Sequence, residues 1–222
     1  MLFRFTGDLL CTDYSPVSDS GHFNAAIFDL GGVFIDWNPR YLYRSLFPGD
    51  EKGMERFLSE VTTSAWNRQM DGGKRFAEAI HELQREHPDK ADLIAAYWDR
   101  WPEMLGEVDR ETAAIVRDLR SRGLRVFALS DWSAETFPHA QRLATELALF
   151  DDIQISGEVR LTKPDPRAFQ HAARRFGVDP ATTFFVDDIQ ANVDAATSVG
   201  FTAFRFTGAA DLRDRLTELR VL

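Results

Sequence analysis

The rhythm of apolar and polar positions changes at Ala25. From there, short apolar runs at Ala25–Phe28, residues 124–129 and residues 183–186 alternate with longer amphipathic stretches. The last two runs are nearly continuous, as in strands covered on both faces, and a fourth run follows Gly200 at residues 201–205. Helical spacing occupies residues 110–122, 134–147, 166–176 and 190–199, with Gly123, Gly177 and Gly200 standing where helix C-termini want a glycine. Strand alternating with helix predicts an α/β fold with a doubly wound parallel sheet.

Residues 41–106 break the alternation. Phe76, Ala79, Ile80 and Leu83, then Leu93, Ile94, Tyr97, Trp98 and Trp101, recur at helical spacing, and no convincing strand intervenes. The division expected is therefore an α/β core at residues 24–38 and 107–222, with an inserted α-helical cap at 39–106. Trp98, Trp101 and Met104 are assigned to the interior of that cap. Residues 1–23, rich in Ser, Asp and Gly toward their end, are expected to form a flexible leader.

Composition narrows the classes. At 222 residues and 44% hydrophobic content the chain can bury a sizeable core, which excludes a disordered or fibrous protein. With 26 basic against 35 acidic residues the net charge is −9, and no basic run could track a phosphate backbone, so nucleic acid is not an expected partner. Cys11 is the only cysteine, which removes intramolecular disulfides and cysteine metal sites. No apolar run is long enough to span a membrane, and the expectation is a cytoplasmic protein, monomeric or homodimeric. His22, His81, His87, His139 and His171 show no metal-ligand spacing, and neither a P-loop nor a Gly-x-Ser-x-Gly elbow occurs.

In an open parallel sheet, ligands bind beyond the carboxyl ends of the strands. The first predicted strand is followed by Asp29-Leu30-Gly31-Gly32-Val33, the second by Ser130-Asp131-Trp132-Ser133, and the third by Asp187-Asp188 with Asn192 beyond. Lys163-Pro164 opens a helix nearby. Carboxylates converging on one crevice repel unless a cation neutralises them, and hard oxygen ligands suit Mg²⁺. A metal, an ammonium and a hydroxyl together make a phosphate site, in which a carboxylate can attack phosphorus.

These four ordered segments resemble the motifs of the haloacid dehalogenase superfamily, over essentially residues 24–220. The resemblance implies that Asp29 is nucleophile and metal ligand, that Ser130 holds phosphoryl oxygens, and that Lys163 steadies both. It implies Mg²⁺ bound by Asp29, Asp188 and the Gly31 carbonyl, with Asp187 binding through water or assisting, and Asn192 orienting the acidic loop. Gly31, Gly32 and Asp131 would border the substrate, a small phosphorylated metabolite such as a sugar phosphate. Most phosphatases of the superfamily carry a second Asp two residues after the nucleophile, as acid to the leaving alcohol. Here that position is Gly31, as in a subgroup resembling bacterial alpha-glucose-1-phosphate phosphatases. Without that acid, leaving groups stable as anions are favoured, such as aryl or anomeric phosphates.

Two other readings stay open. One is 2-haloacid dehalogenation by attack of Asp29 on carbon, against which stands the Asp187-Asp188 pair, where the namesake enzymes carry Ser or Asn. The other is a protein that binds phosphorylated ligands with little turnover. Within the helical insertion Trp66, Asn67, Met70 and Asp71, ahead of Gly72-Gly73, are candidates for a substrate-facing lid, although Trp66 and Met70 at i, i+4 suit core packing at least as well, and Asp71 is a candidate for the absent acid.

Overall fold

The computed structural model describes residues 23–222. Five parallel strands form the sheet: β1 (Ala25–Phe28), β4 (Arg125–Ser130), β5 (Asp152–Ile155), β6 (Thr183–Asp187) and β7 (Thr202–Arg205), in the order β5-β4-β1-β6-β7. The first strand is central, with Phe28 opposite both Ala128 and Val186. Alternate side chains leave opposite faces of the sheet. Ile27, Phe127, Leu129 and Phe185 meet Phe169 and Ala172 of helix α9 (Pro166–Phe176), whereas Ala26, Phe28, Val126 and Val186 face α6 (Arg110–Ser121) and α11 (Ala209–Glu218). With helices on both faces, this is the expected doubly wound α/β fold.

Sequence-local signals set the helix ends. Asp165 caps α9 by accepting from the Arg167 N–H, Pro166 takes the first turn, and Gly177 closes it at φ 60°. The helix α10 (Gln190–Val199) ends likewise on Gly200.

Three differences from expectation concern short or non-local elements. The edge strand β5 was not foreseen. The stretch at residues 134–147 holds only the helix α7 (Phe137–Leu143), followed by a 3-10 turn at Thr145–Leu149. Between β1 and the rest, β2 (Ile35–Trp37) pairs antiparallel with β3 (Leu105–Val108), a ribbon that brings together residues about 70 positions apart. Enclosed between its strands are α1 (Arg40–Leu46), α2 (Glu51–Glu60), α3 (Ser64–Asp71), α4 (Phe76–Glu86) and α5 (Ala91–Asp99). Tyr43, Phe57, Trp66, Phe76 and Tyr97 fill the space among these helices.

The leader expected over residues 1–23, Cys11 included, lies outside the described residues except for Phe23, which sets its ring edge-on against Phe184 with centroids 5.5 Å apart. Among the described residues no helix is long and apolar enough to cross a membrane.

Candidate active site

Three strand ends converge. The Asp29 N–H donates to the Val186 carbonyl at 2.8 Å, which extends the β1–β6 pairing by one residue and fixes where that carboxylate leaves the sheet. Ser130 ends β4 and Asp187 ends β6, both buried. Lys163, buried as well, reaches in from the loop before α9, with Nζ 2.8 Å from Asp29 Oδ1 and 2.6 Å from Asp187 Oδ2. The Lys163 backbone N–H donates to Asp131 Oδ1 at 3.0 Å, so the residue after the β4 serine fastens the lysine loop.

Asp187 is saturated with donors. Besides Lys163, it accepts from the Ile189 N–H at 2.8 Å and from Asn192 Nδ2 at 3.0 Å on each oxygen. Asn192 thus orients the acidic loop through Asp187. Asp188 differs, since its Oδ1 is buried without a hydrogen-bond partner. Asp29, Asp187 and Asp188 each offer an oxygen, all within 4.8 Å of one another. One lysine ammonium cannot neutralise three clustered carboxylates, and the orphaned Asp188 oxygen lacks the partner that buried charge requires. A hard divalent cation fits both deficits.

The charges are shifted accordingly. Burial pushes the Asp29 carboxyl up to about 7, with the Asp187 charge adding to it against the opposing pull of Lys163. Burial alone would lower the Lys163 ammonium, but Asp29, Asp187 and Asp131 outweigh it and hold it above its ordinary range. Asp188 is raised by burial and by Asp187.

These groups floor a cavity of about 350 Å³ whose walls come from both the sheet and the helical segment. Asp29, Gly31, Gly32, Ser130, Asp131, Lys163, Asp188 and Asn192 line one end, and Trp37, Asn67, Asp71, Phe76, Trp101, Trp132, Thr136 and Ile189 complete it. Expected substrate-side residues Asn67 and Asp71 are therefore at the cavity. Trp66 and Met70 are not. Trp66 is 7% exposed and packs edge-on against Tyr97 at 4.9 Å, and Met70 is fully buried, because a helix that turns Asn67 and Asp71 to one side turns Trp66 and Met70 to the other. Trp101, assigned to the interior, lines the cavity 6.0 Å from Trp132, and neither Trp132 nor Trp37 was singled out. Trp132 belongs to the Ser130-Asp131-Trp132-Ser133 segment that follows the second strand, but no role was assigned to it.

The family model of haloacid dehalogenase-like hydrolases matches residues 23–200. The chain belongs to this family. It is 27% identical over 185 residues to the sesquiterpene phosphatase astK of Aspergillus oryzae, covering 83% of this chain and 90% of the relative. It is 24% identical over 196 residues to (S)-2-haloacid dehalogenase 1 of a Pseudomonas species, covering 82% and 83%. A HAD family enzyme of Bacteroides thetaiotaomicron, solved as a magnesium complex, superposes with a TM-score of 0.64 at 21% identity over 83% of this chain and 93% of that one, sharing the fold. As a haloacid dehalogenase-like hydrolase the protein is an enzyme, with both phosphatases and dehalogenases among its relatives.

Proposed function

We propose that this hydrolase is a Mg²⁺-dependent phosphatase in which Asp29 attacks phosphorus to form a phospho-aspartyl intermediate. The observation that carries the reading is the Asp29–Asp187–Asp188 cluster with its unpartnered Asp188 oxygen. A haloacid dehalogenase needs only one nucleophilic carboxylate, and two further acids facing a haloacid anion would repel it. Asp29, Asp188 and the Gly31 carbonyl would hold the metal, which supplies positive charge to the phosphoryl oxygens. Asp187 keeps Lys163 in place, and the Lys163 ammonium balances charge on the transferring group. Ser130 would donate its hydroxyl to a phosphoryl oxygen. The helical segment, residues 39–106, acts as the cap that closes the cavity over the bound phosphate.

The far end of the cavity favours an apolar organic group over a polyhydroxylated one. Trp37, Phe76, Trp101 and Trp132 supply its surface, and Ile189, 53% exposed, stands at its edge. Two of the polar side chains there are already engaged, while Trp37 Nε1 is buried without a hydrogen-bond partner. Asn67 donates to Asp71 and accepts from the Tyr97 hydroxyl, while Thr136 accepts from Trp132 Nε1. That leaves Trp37 Nε1 and the Asp71 carboxyl as polar groups beside four aromatic rings, a lining richer in apolar than in hydroxyl-reading surface. The name of the relative astK, a sesquiterpene phosphatase, accords with an apolar substrate.

The test is release of inorganic phosphate from aryl, isoprenoid and sugar monophosphates, with Mg²⁺ and with chelator, beside Asp29→Asn. Metal-dependent release that vanishes in Asp29→Asn is expected. Metal-independent halide release from a 2-haloacid, with no phosphate release, would overturn the reading.

A further inference from the structure

Expulsion of an alkoxide from phosphorus needs a proton at the leaving oxygen, and the residues that hold the phosphoryl group cannot give one. The Lys163 ammonium lies between Asp29 and Asp187, which hold its charge in place. Asp29 attacks, Asp188 faces the cation, and Asp131 accepts from the Lys163 N–H. Gly31, beside the nucleophile, has no side chain to offer. Of the titratable residues lining the cavity, Asp71 remains.

Asp71 is held from several sides. It ends α3 with its carbonyl accepting from Ser156 Oγ at 2.6 Å, and Ser156 Oγ in turn accepts from the Trp132 N–H at 3.0 Å. A few residues on, the Phe76 N–H donates to Glu135 Oε2 at 2.7 Å. The turn carrying Asp71 is thereby tied to the same loop that carries Ser130 and Asp131. Its carboxylate accepts from Asn67 Nδ2 at 2.9 Å, and Asn67 is fixed by the buried Tyr97 hydroxyl at 2.9 Å. No basic side chain forms an ion pair with it among the described residues.

We infer that Asp71 is the proton donor to the leaving group, standing on the helical segment in the wall of the cavity that Asp29 also lines. This rests on the phosphatase reading. In the first step Asp29 Oδ bonds to phosphorus, the P–O bond to the organic group breaks, and the Asp71 proton passes to the departing oxygen, giving the alcohol and an ionised Asp71. In the second step water attacks the phosphorus of phospho-Asp29 and gives one proton to Asp71. Phosphate leaves, Asp29 is regenerated as carboxylate, and Asp71 again carries its proton. The surroundings keep that proton on at neutral pH. Burial, with the Asp131 charge added, pushes the Asp71 carboxyl up to about 8, against the Ser133 N–H and the Arg68 guanidinium. The remaining group facing it, Tyr97, stays neutral.

The experiment measures kcat/KM of the Mg²⁺-loaded enzyme, wild type and Asp71→Asn, on aryl and alkyl monophosphates spanning a wide range of leaving-group acidity. Loss of a proton donor costs about 10² to 10⁴ in rate where the leaving group is poor and far less where it is good. The expected result is a steeper dependence on leaving-group acidity in Asp71→Asn, together with loss of the fall in rate above pH 8. A second variant exploits position 31, where an added Cβ meets nothing within 4 Å. Asp71→Asn/Gly31→Asp should regain part of the rate on alkyl phosphates. A uniform loss across all leaving groups with the alkaline limb intact would overturn the assignment, while Asp29-dependent phosphate release upholds the phosphatase. A wild type that releases no phosphate from any of them would remove both.

Discussion

The carboxylate of Asp188 occupies the space that a side chain at position 32 would need. A Cβ on Gly32 would lie 2.8 Å from Asp188 Oδ2, and Gly32 also holds a positive φ of 74°. Gly32→Ala therefore pays twice, through left-handed backbone strain of about 1 to 2 kcal/mol and through displacement of the acid that faces the proposed cation. Gly31 has neither constraint. Urea unfolding should show Gly32→Ala less stable by about that amount with at least a tenfold loss of phosphatase activity, and Gly31→Ala close to wild type in stability.

Lys163 separates two buried carboxylates, and removing its charge leaves them facing each other. Lys163→Met should lose about 3 to 5 kcal/mol at pH 8, the usual consequence of uncompensated buried charge. Without the ammonium the Asp29 carboxyl rises further above its unfolded value. A group shifted upward loses its stabilising contribution as pH rises, so the variant should recover on acidification as Asp29 takes up a proton. Equilibrium unfolding at pH 5.5 and pH 8 checks this, and an equal deficit at both values would contradict it.

The residues at the strand ends were legible because their positions depend on short-range facts. Asp29, Ser130 and Asp187 each follow an apolar run, and a buried parallel strand delivers its next residue to one edge of the sheet. The strand β5 was missed because Asp-Ile-Gln-Ile at the sheet edge carries little apolar signal, and β2 and β3 because each is too short to be read without its distant partner. Trp66 proves to be interior and Trp101, buried in the core as expected, also forms cavity wall, for a similar reason. Periodicity shows that a helix has an apolar side but not which neighbour meets it. Asp71 carried the right residue type, yet its placement at the cavity depends on the contacts to Ser156 and Asn67, separated from it by 85 and 4 positions.

Metal removal gives a prediction independent of turnover. A cation that binds only the folded chain stabilises it by about 2.7 kcal/mol at a hundred times its Kd. For a protein of this size that corresponds to a rise in Tm of about 5 to 10 °C. Calorimetry should show this rise with Mg²⁺, its reversal by chelator, and its loss in Asp188→Asn. A Tm unmoved by Mg²⁺ in the wild type would count against the metal site.

Asp71 should make the wild type less stable as pH rises. Its carboxyl is raised to about 8, chiefly by burial, from an unfolded value near 4. Between these values the folded chain holds a proton that the unfolded chain has released, so stability declines across the interval and levels off above about pH 8. An amide at this position has no such penalty and can still accept from Asn67. Asp71→Asn should match the wild type near pH 4 and be the more stable of the two at pH 8.5, with the gap widening between those values. A difference independent of pH would mean that Asp71 is ionised throughout.

Ile189 permits a test of substrate class that leaves the folded core alone. Its side chain is half exposed at the cavity edge, and its backbone N–H, which supports Asp187, is retained in Ile189→Ser. Losing the apolar contact with a bound organic group should cost about 1 to 1.5 kcal/mol, or roughly tenfold in affinity. For an isoprenoid or large aryl monophosphate, KM should rise by that factor while kcat changes little, because the contact is made equally in ground and transition states. Inhibition by inorganic phosphate, which occupies only the acidic end, should be unchanged. Equal weakening of phosphate and of the apolar substrates would place the effect at the neighbouring Asp188 instead, and no change in either would mean that the organic group does not reach the Ile189 edge.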